Sequence, residues 1–208
     1  MADPDFRRDQ RDRLREPHVR PVNAFVDSLR EVDRRGWVPY VAPLHGGVGS
    51  RVLSVLGNPG AMTQNVSGSA FASIENGDPT SERQCELFAK VEISALDVTP
   101  WHAYPWYINR KLITSDLDAG GVVLRNLLTI LPKLRVVLLQ GDRASSAWER
   151  VLKHRSTPPS VRHLEVVRSI DPSPEALPTA DPVKRARQIG QQVIAFEKVS
   201  EILAAQSK

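Results

Sequence analysis

The sequence predicts an α/β protein, a three-layer α/β/α sandwich with a central, mainly parallel four-stranded sheet. Two observations carry this prediction. Helical stretches alternate with four short apolar strands, and those strands are runs of apolar residues of the kind found when both faces of a sheet are covered. The length of 208 residues, 41% hydrophobic and 25% charged, suits one domain with a sizeable core.

Residues 1–20 form an arm in which Arg7, Arg8, Arg11, Arg13 and Arg15 are largely matched by Asp3, Asp5, Asp9, Asp12 and Glu16. A solvated, flexible or frayed helical arm is expected there, with a single domain over residues 21–208. Val22, Phe25, Val26, Leu29 and Val32 recur at helical spacing before Gly36. From Trp37 to Ser50, three glycines and two prolines predict irregular chain. Val52 to Leu56 reads as a buried strand cut off by Gly57-Asn58-Pro59-Gly60. After a Gly/Ser-rich loop, Asp78 and Pro79 serve as N-cap and first residue of a helix running to about Val91, with Leu87, Phe88 and Val91 inward.

Leu96 to Ala103 is the second strand, and a helix around Val122 to Leu131 follows. Arg135 to Gln140 is the clearest buried strand and stops at Gly141. Ala144, Ala147, Trp148, Val151 and Leu152 then make one apolar helical face. Val161 to Val167 is the fourth strand. Val183 to Leu203 closes the chain as a helix with Ile189, Val193, Phe196 and Val199 inward.

Composition excludes several functions. Cys85 is the only cysteine, so neither an internal disulfide nor a thiolate-held cluster can form. A reducing cytoplasm is the expected compartment. No apolar run reaches the roughly 18 to 20 residues of a membrane span, and Met1 to Arg15 lacks the apolar core of a secretory signal. The net charge of +4 names no partner by itself. Its placement is more informative: between Lys133 and Arg187 there are 11 basic and 6 acidic residues, a net of +5. The familiar phosphate-loop, nucleophile-elbow and zinc-protease strings are absent, and the five His residues have no metal-ligand spacing. His45-Gly46-Gly47 has the look of an esterase oxyanion loop, without a nucleophile elbow to serve it.

In a parallel sheet the ligand crevice lies outside the carboxyl ends of the strands. Those ends carry Gly57 to Gly60, Trp101-His102, Gly141-Asp142 and Ser169 to Pro174, so separated segments should converge. On residue type alone, each has a plain structural alternative. Asn58-Pro59-Gly60 is what a turn uses, Phe71 suits a core, and His102 suits a buried, satisfied histidine. Trp101 and Trp106 suit packing, and Asp78 suits a cap better than a catalytic acid.

Taken together, four segments in order carry a resemblance. They are Leu56-Gly57-Asn58-Pro59-Gly60, Phe71 eleven residues after Gly60, Thr99 to Trp106, and Asp171-Pro172-Ser173-Pro174. The chain resembles the uracil-DNA glycosylase superfamily, and its Gly-Asn-Pro-Gly is similar to the water-activating motif of the mismatch-specific branch. A wider similarity to glycosylase-like proteins of actinobacteria takes in Val38 to Gly47, Glu75 to Thr80 and Trp101 to Tyr107, and spans roughly Trp37 to Leu177.

The resemblance implies a monofunctional DNA glycosylase acting as a monomer on DNA without metal or cofactor, on a deaminated base turned out of the helix. Asn58 would position the water that attacks the sugar C1′, and backbone amides around Gly57 and Ala61 would close the pocket. Phe71 would stack on the base and His102 would face its Watson–Crick edge. Asp171, Pro172 and Ser173 would form the DNA-intercalating loop, and Gly141 would leave a helix N-terminus open to a phosphate. Independently of the resemblance, Arg162 and Arg168 are near enough in sequence to pair with Asp171 or with phosphate.

Two positions depart from the family pattern. His102 stands where the base-reading residue is Asn, which leaves the preferred deaminated base open. Asp171 stands where many members carry His, and an ionised carboxylate there would repel negative charge growing on the leaving base. A degenerate member that binds DNA or a nucleotide without cutting it is the alternative these departures suggest.

Overall fold

The structure, a computed structural model, describes residues 1, 3–31, 35–64, 68–177 and 181–205. In chain order its elements are α1 (Pro4–Asp12), α2 (Arg20–Glu31), β1 (Tyr40–Val41), β2 (Val52–Leu56), β3 (Phe71–Ala72), α3 (Pro79–Lys90), β4 (Val98–His102), α4 (Thr114–Leu128), β5 (Val136–Gln140), α5 (Asp142–Lys153), α6 (Pro159–Arg162), β6 (Glu165–Ser169) and α7 (Pro182–Ala205).

The central sheet has the order β4-β2-β5-β6 with every pairing parallel, as the apolar runs predict. One face carries Val52, Val136, Leu138 and Val167 against Leu87 and Phe88 of α3 and Phe196 and Val199 of α7. Phe88 and Phe196 meet edge to face at 4.7 Å. The other face carries Leu53, Val55, Trp101, Val137 and Leu139 against α2, α4 and α5. The three layers of the predicted sandwich are therefore present. After β2 the chain moves to β4 on one side, then crosses to β5 on the other. That reversal makes β2 the strand at which the crossover direction changes.

Several expectations need correction. The N-terminal arm is helical, one of the two expected forms, but it is capped and docked where fraying was expected: Asp3 caps α1 by accepting from the amides of Asp5 and Phe6. The buried Gln10 accepts a 2.8 Å bond from the Leu44 amide. Asn23 of α2 donates to Leu14 O and Val41 O and accepts from the Val41 amide, tying arm, helix and β1 together. Val32, expected on the first amphipathic helix, lies outside the described residues.

The segment read as irregular contains β1, which pairs in parallel with β3 as a small second sheet, Tyr40 opposite Phe71 and Val41 opposite Ala72. Ala95–Asp97 is a 3-10 turn, so β4 begins at Val98. α4 begins at Thr114, well before Val122, because Gly120 and Gly121 serve close packing and do not break the helix. A Cβ on Gly120 would lie 1.8 Å from Ala103 O. At the fourth strand, Pro158-Pro159 starts the short α6, which takes Val161 into the core and delays β6 to Glu165. On α7, Phe196 and Val199 are buried as expected, while Ile189 and Val193 are only half-buried.

Among the described residues, no helix is long and apolar enough to cross a membrane.

Candidate active site

Beyond the carboxyl ends of β2 and β4, a cavity of about 420 Å³ opens between these strands, the first turns of α3, the turn Ala61–Thr63 and the loop Asp171–Glu175. That volume suits a small organic ligand. Its wall includes Gly57, Asn58, Ala61, His102, Asp171 and Ser173. Three of the four strand-end segments expected to converge thus reach one place, and Gly141-Asp142 stays off the wall.

Strand pairing positions the first two side chains. Leu56 sits opposite His102 in the register. The pairing continues past the strand ends through Ala103 N to Leu56 O at 2.7 Å and Tyr104 N to Gly57 O at 3.0 Å. Gly57 allows the close approach of Arg143, whose Cδ would be 3.3 Å from a Cβ there. Asn58 follows at once, half-buried, with Nδ2 donating to Pro59 O at 3.3 Å. Its Oδ1 accepts no hydrogen bond from any described residue, so it is the free end of the carboxamide.

His102 is 7% exposed and lines the cavity. Burial pushes its pKa down to about 3, so the ring is neutral near pH 7 and offers one donor and one acceptor. Neither nitrogen is bonded to a described residue. The expected alternative, a satisfied core histidine, describes His45 instead. Its Nδ1 donates to Ala95 O at 3.3 Å, and Nε2 accepts from the Ile74 amide at 3.3 Å with Ser73 Oγ at the same distance. Although Ser73 faces the cavity, this pair is no nucleophile and base. The single Nε2 lone pair already faces a backbone N–H, and burial lowers the ring's pKa to about 4.

Phe71 does not reach the cavity. Its side chain is fully buried among Met1 and Ala42, with Phe6, Leu14 and Leu44 packed alongside. Pairing with β1 fixes its strand so that the following residues, Ala72 and Ser73, line the wall instead. Arg168 also departs from expectation. It is exposed on β6 beside Ile170, Ile194 and Lys198, on a separate groove. Pro172 is buried and faces Arg83 and Arg185 rather than the main cavity.

At Gly141 the backbone takes φ +90°, which favours glycine, and a Cβ would lie 3.0 Å from Asp171 Cβ and 3.3 Å from its Oδ2. No side chain caps α5. The Asp171 carboxylate therefore stands close to the N-terminus that was expected to receive a phosphate, a place where the helix dipole favours an anion. Asp171 Oδ1 accepts from the Ser173 amide at 2.8 Å, which shapes the loop. Asp78 is a cap, as expected: its Oδ1 accepts from the Thr80 and Ser81 amides and its Oδ2 from Ser81 Oγ.

Sequence reasoning missed Arg143, Gln84 and Asn76 on the cavity wall. Arg143 enters from the first turn of α5 and donates to Leu112 O at 3.3 Å. Gln84 was detectable, since it shares the inward face of α3 with Leu87 and Phe88 at helical spacing, where a polar residue is out of place. Asn76 lies in a loop without a periodic pattern, and its one signal was its place in the Glu75 to Thr80 segment of the wider similarity.

No protein-family model matches this chain, and no curated protein matches it.

Proposed function

We propose that the protein is a monofunctional DNA glycosylase that hydrolyses the N-glycosidic bond of a deaminated base turned out of DNA into this cavity. The observation that supports it is the convergence of Asn58, with a free carboxamide oxygen, and His102, with a free neutral ring, on one cavity at the strand ends. Asn58 Oδ1 accepts a hydrogen bond from a water and aims it at C1′. As the C1′–N bond breaks, its electron pair leaves with the base and the water oxygen bonds to C1′. The water's proton passes to solvent or to the departing base. An amide is a poor base, so positioning and stabilisation of the leaving anion carry most of the barrier reduction. His102 donates from its ring N–H to the base. The Arg143 guanidinium, on the same wall, offsets the unfavourable charge of Asp171.

The test is incubation with oligonucleotides carrying uracil, hypoxanthine or xanthine, followed by alkali. Strand cleavage at one of these bases is expected, and none at any of them with folded protein overturns the reading.

One observation favours a second reading, binding of DNA or nucleotide without base release. Phe71, the ring that would stack on the base, is sealed away from the cavity. DNA affinity that falls steeply with salt, with no base released, would select it.

A further inference from the structure

We propose that Gln84 is a base-reading residue: its carboxamide N–H donates to a carbonyl oxygen of the base in the cavity, so the site takes oxo-bearing bases over their amino-bearing counterparts. The inference rests on the reading of the cavity as a base-binding site and names a specificity residue within it.

Gln84 is 1% exposed and lines the cavity from α3. Two buried partners fix its orientation. Its Oε1 accepts from Ser54 Oγ at 3.1 Å and from Gln140 Nε2 at 2.8 Å, and Gln140 Nε2 also donates to Ser54 Oγ at 2.8 Å. Both Gln140 N–H bonds and the Ser54 hydroxyl proton are thereby used. Turning Gln84 alone would set N–H against N–H. Turning Gln140 with it would replace a buried orphan carbonyl, Gln140 Oε1, with buried orphan N–H groups, the rarer and costlier outcome.

Gln84 Nε2 is thus held away from this network and has no hydrogen-bond partner among the described residues. A buried donor left unpaired is costly, and one beside a cavity is satisfied by what enters it. A donor with no protein partner complements a carbonyl oxygen and opposes an amino group. Uracil, hypoxanthine and xanthine carry a carbonyl oxygen where cytosine and adenine carry an amino group. Ser54 and Gln140 act as positioning residues.

The test titrates the full chain calorimetrically with uracil, cytosine and the two pyrimidinones that each lack one uracil carbonyl, every ring methylated at N1, the atom that carries the sugar in DNA. Wild type should bind uracil about ten-fold or more tightly than cytosine and than one of the pyrimidinones. In Gln84→Met, a similar volume without the donor, deletion of that same carbonyl should cost nothing further. Equal binding of uracil and both pyrimidinones by wild type overturns the proposal, as does failure of uracil to bind at millimolar concentration. The analogue comparison needs only wild type, so a poorly folded variant does not protect the claim. Base release from DNA is measured separately. Its absence with carbonyl discrimination intact retires the glycosylase reading and leaves the role of Gln84 standing.

Discussion

The two buried histidines divide between structure and chemistry on the basis of their partners. His45 is satisfied on both nitrogens, while His102 is bonded to nothing described and faces the cavity. Both rings are held neutral by burial, with pKa values of about 4 and about 3 against about 6.5 in an unfolded chain. Below pH 6.5 the unfolded chain therefore binds more protons than the folded one, and stability falls as pH drops from about 6.5 toward 4. Denaturant midpoints measured across that range should show this fall. His102→Asn should make it shallower, and an unchanged slope would contradict the account of His102. Phe71→Ala should cost about 3 to 5 kcal/mol in equilibrium unfolding, as loss of a fully buried ring does, whereas a cavity-wall ring would cost much less. Asn58 and His102 were legible from sequence because each sits at or beside a strand end that an apolar run reveals. Phe71 was not, because its direction depends on pairing with β1, a two-residue strand among glycines and prolines that leaves no local pattern.

Among the elements, α3 and α5 both reach the site, from opposite faces of the sheet, and their starts follow different logic. Asp78-Pro79 announces α3 in the sequence, and Asp78 does cap it. α5 starts at a glycine whose positive φ and tight contact with Asp171 both exclude a side chain. Gly141→Ala is expected to destabilise the protein by about 1 to 2 kcal/mol and to displace the 171–175 loop, read as a lower melting temperature and faster proteolysis of that loop. A melting temperature equal to wild type would contradict this. Helix α4 shows why boundaries escaped sequence reading. Gly120 and Gly121 look like a break in the sequence, but the fold uses them where helix and chain approach too closely for a Cβ.

For the whole molecule, the alternation of apolar runs and amphipathic helices was enough to specify a parallel sheet with both faces covered, and hence where a crevice must lie. Charge placement was only partly informative. The basic excess between Lys133 and Arg187 contains Arg143, which reaches the cavity, and Arg168, which lies on a different groove. DNA affinity should fall linearly as log Kd against log salt, and Arg168→Ala should leave base release unchanged, as measured in single turnover. The central claim is that Asn58 positions water for base excision in this cavity. It is tested most directly by single-turnover base release from a uracil-containing oligonucleotide, compared with DNA affinity, in wild type and Asn58→Ala. The account predicts loss of about 100-fold or more in the rate with affinity nearly unchanged; an equal loss of rate and affinity, or an unchanged rate, would contradict it.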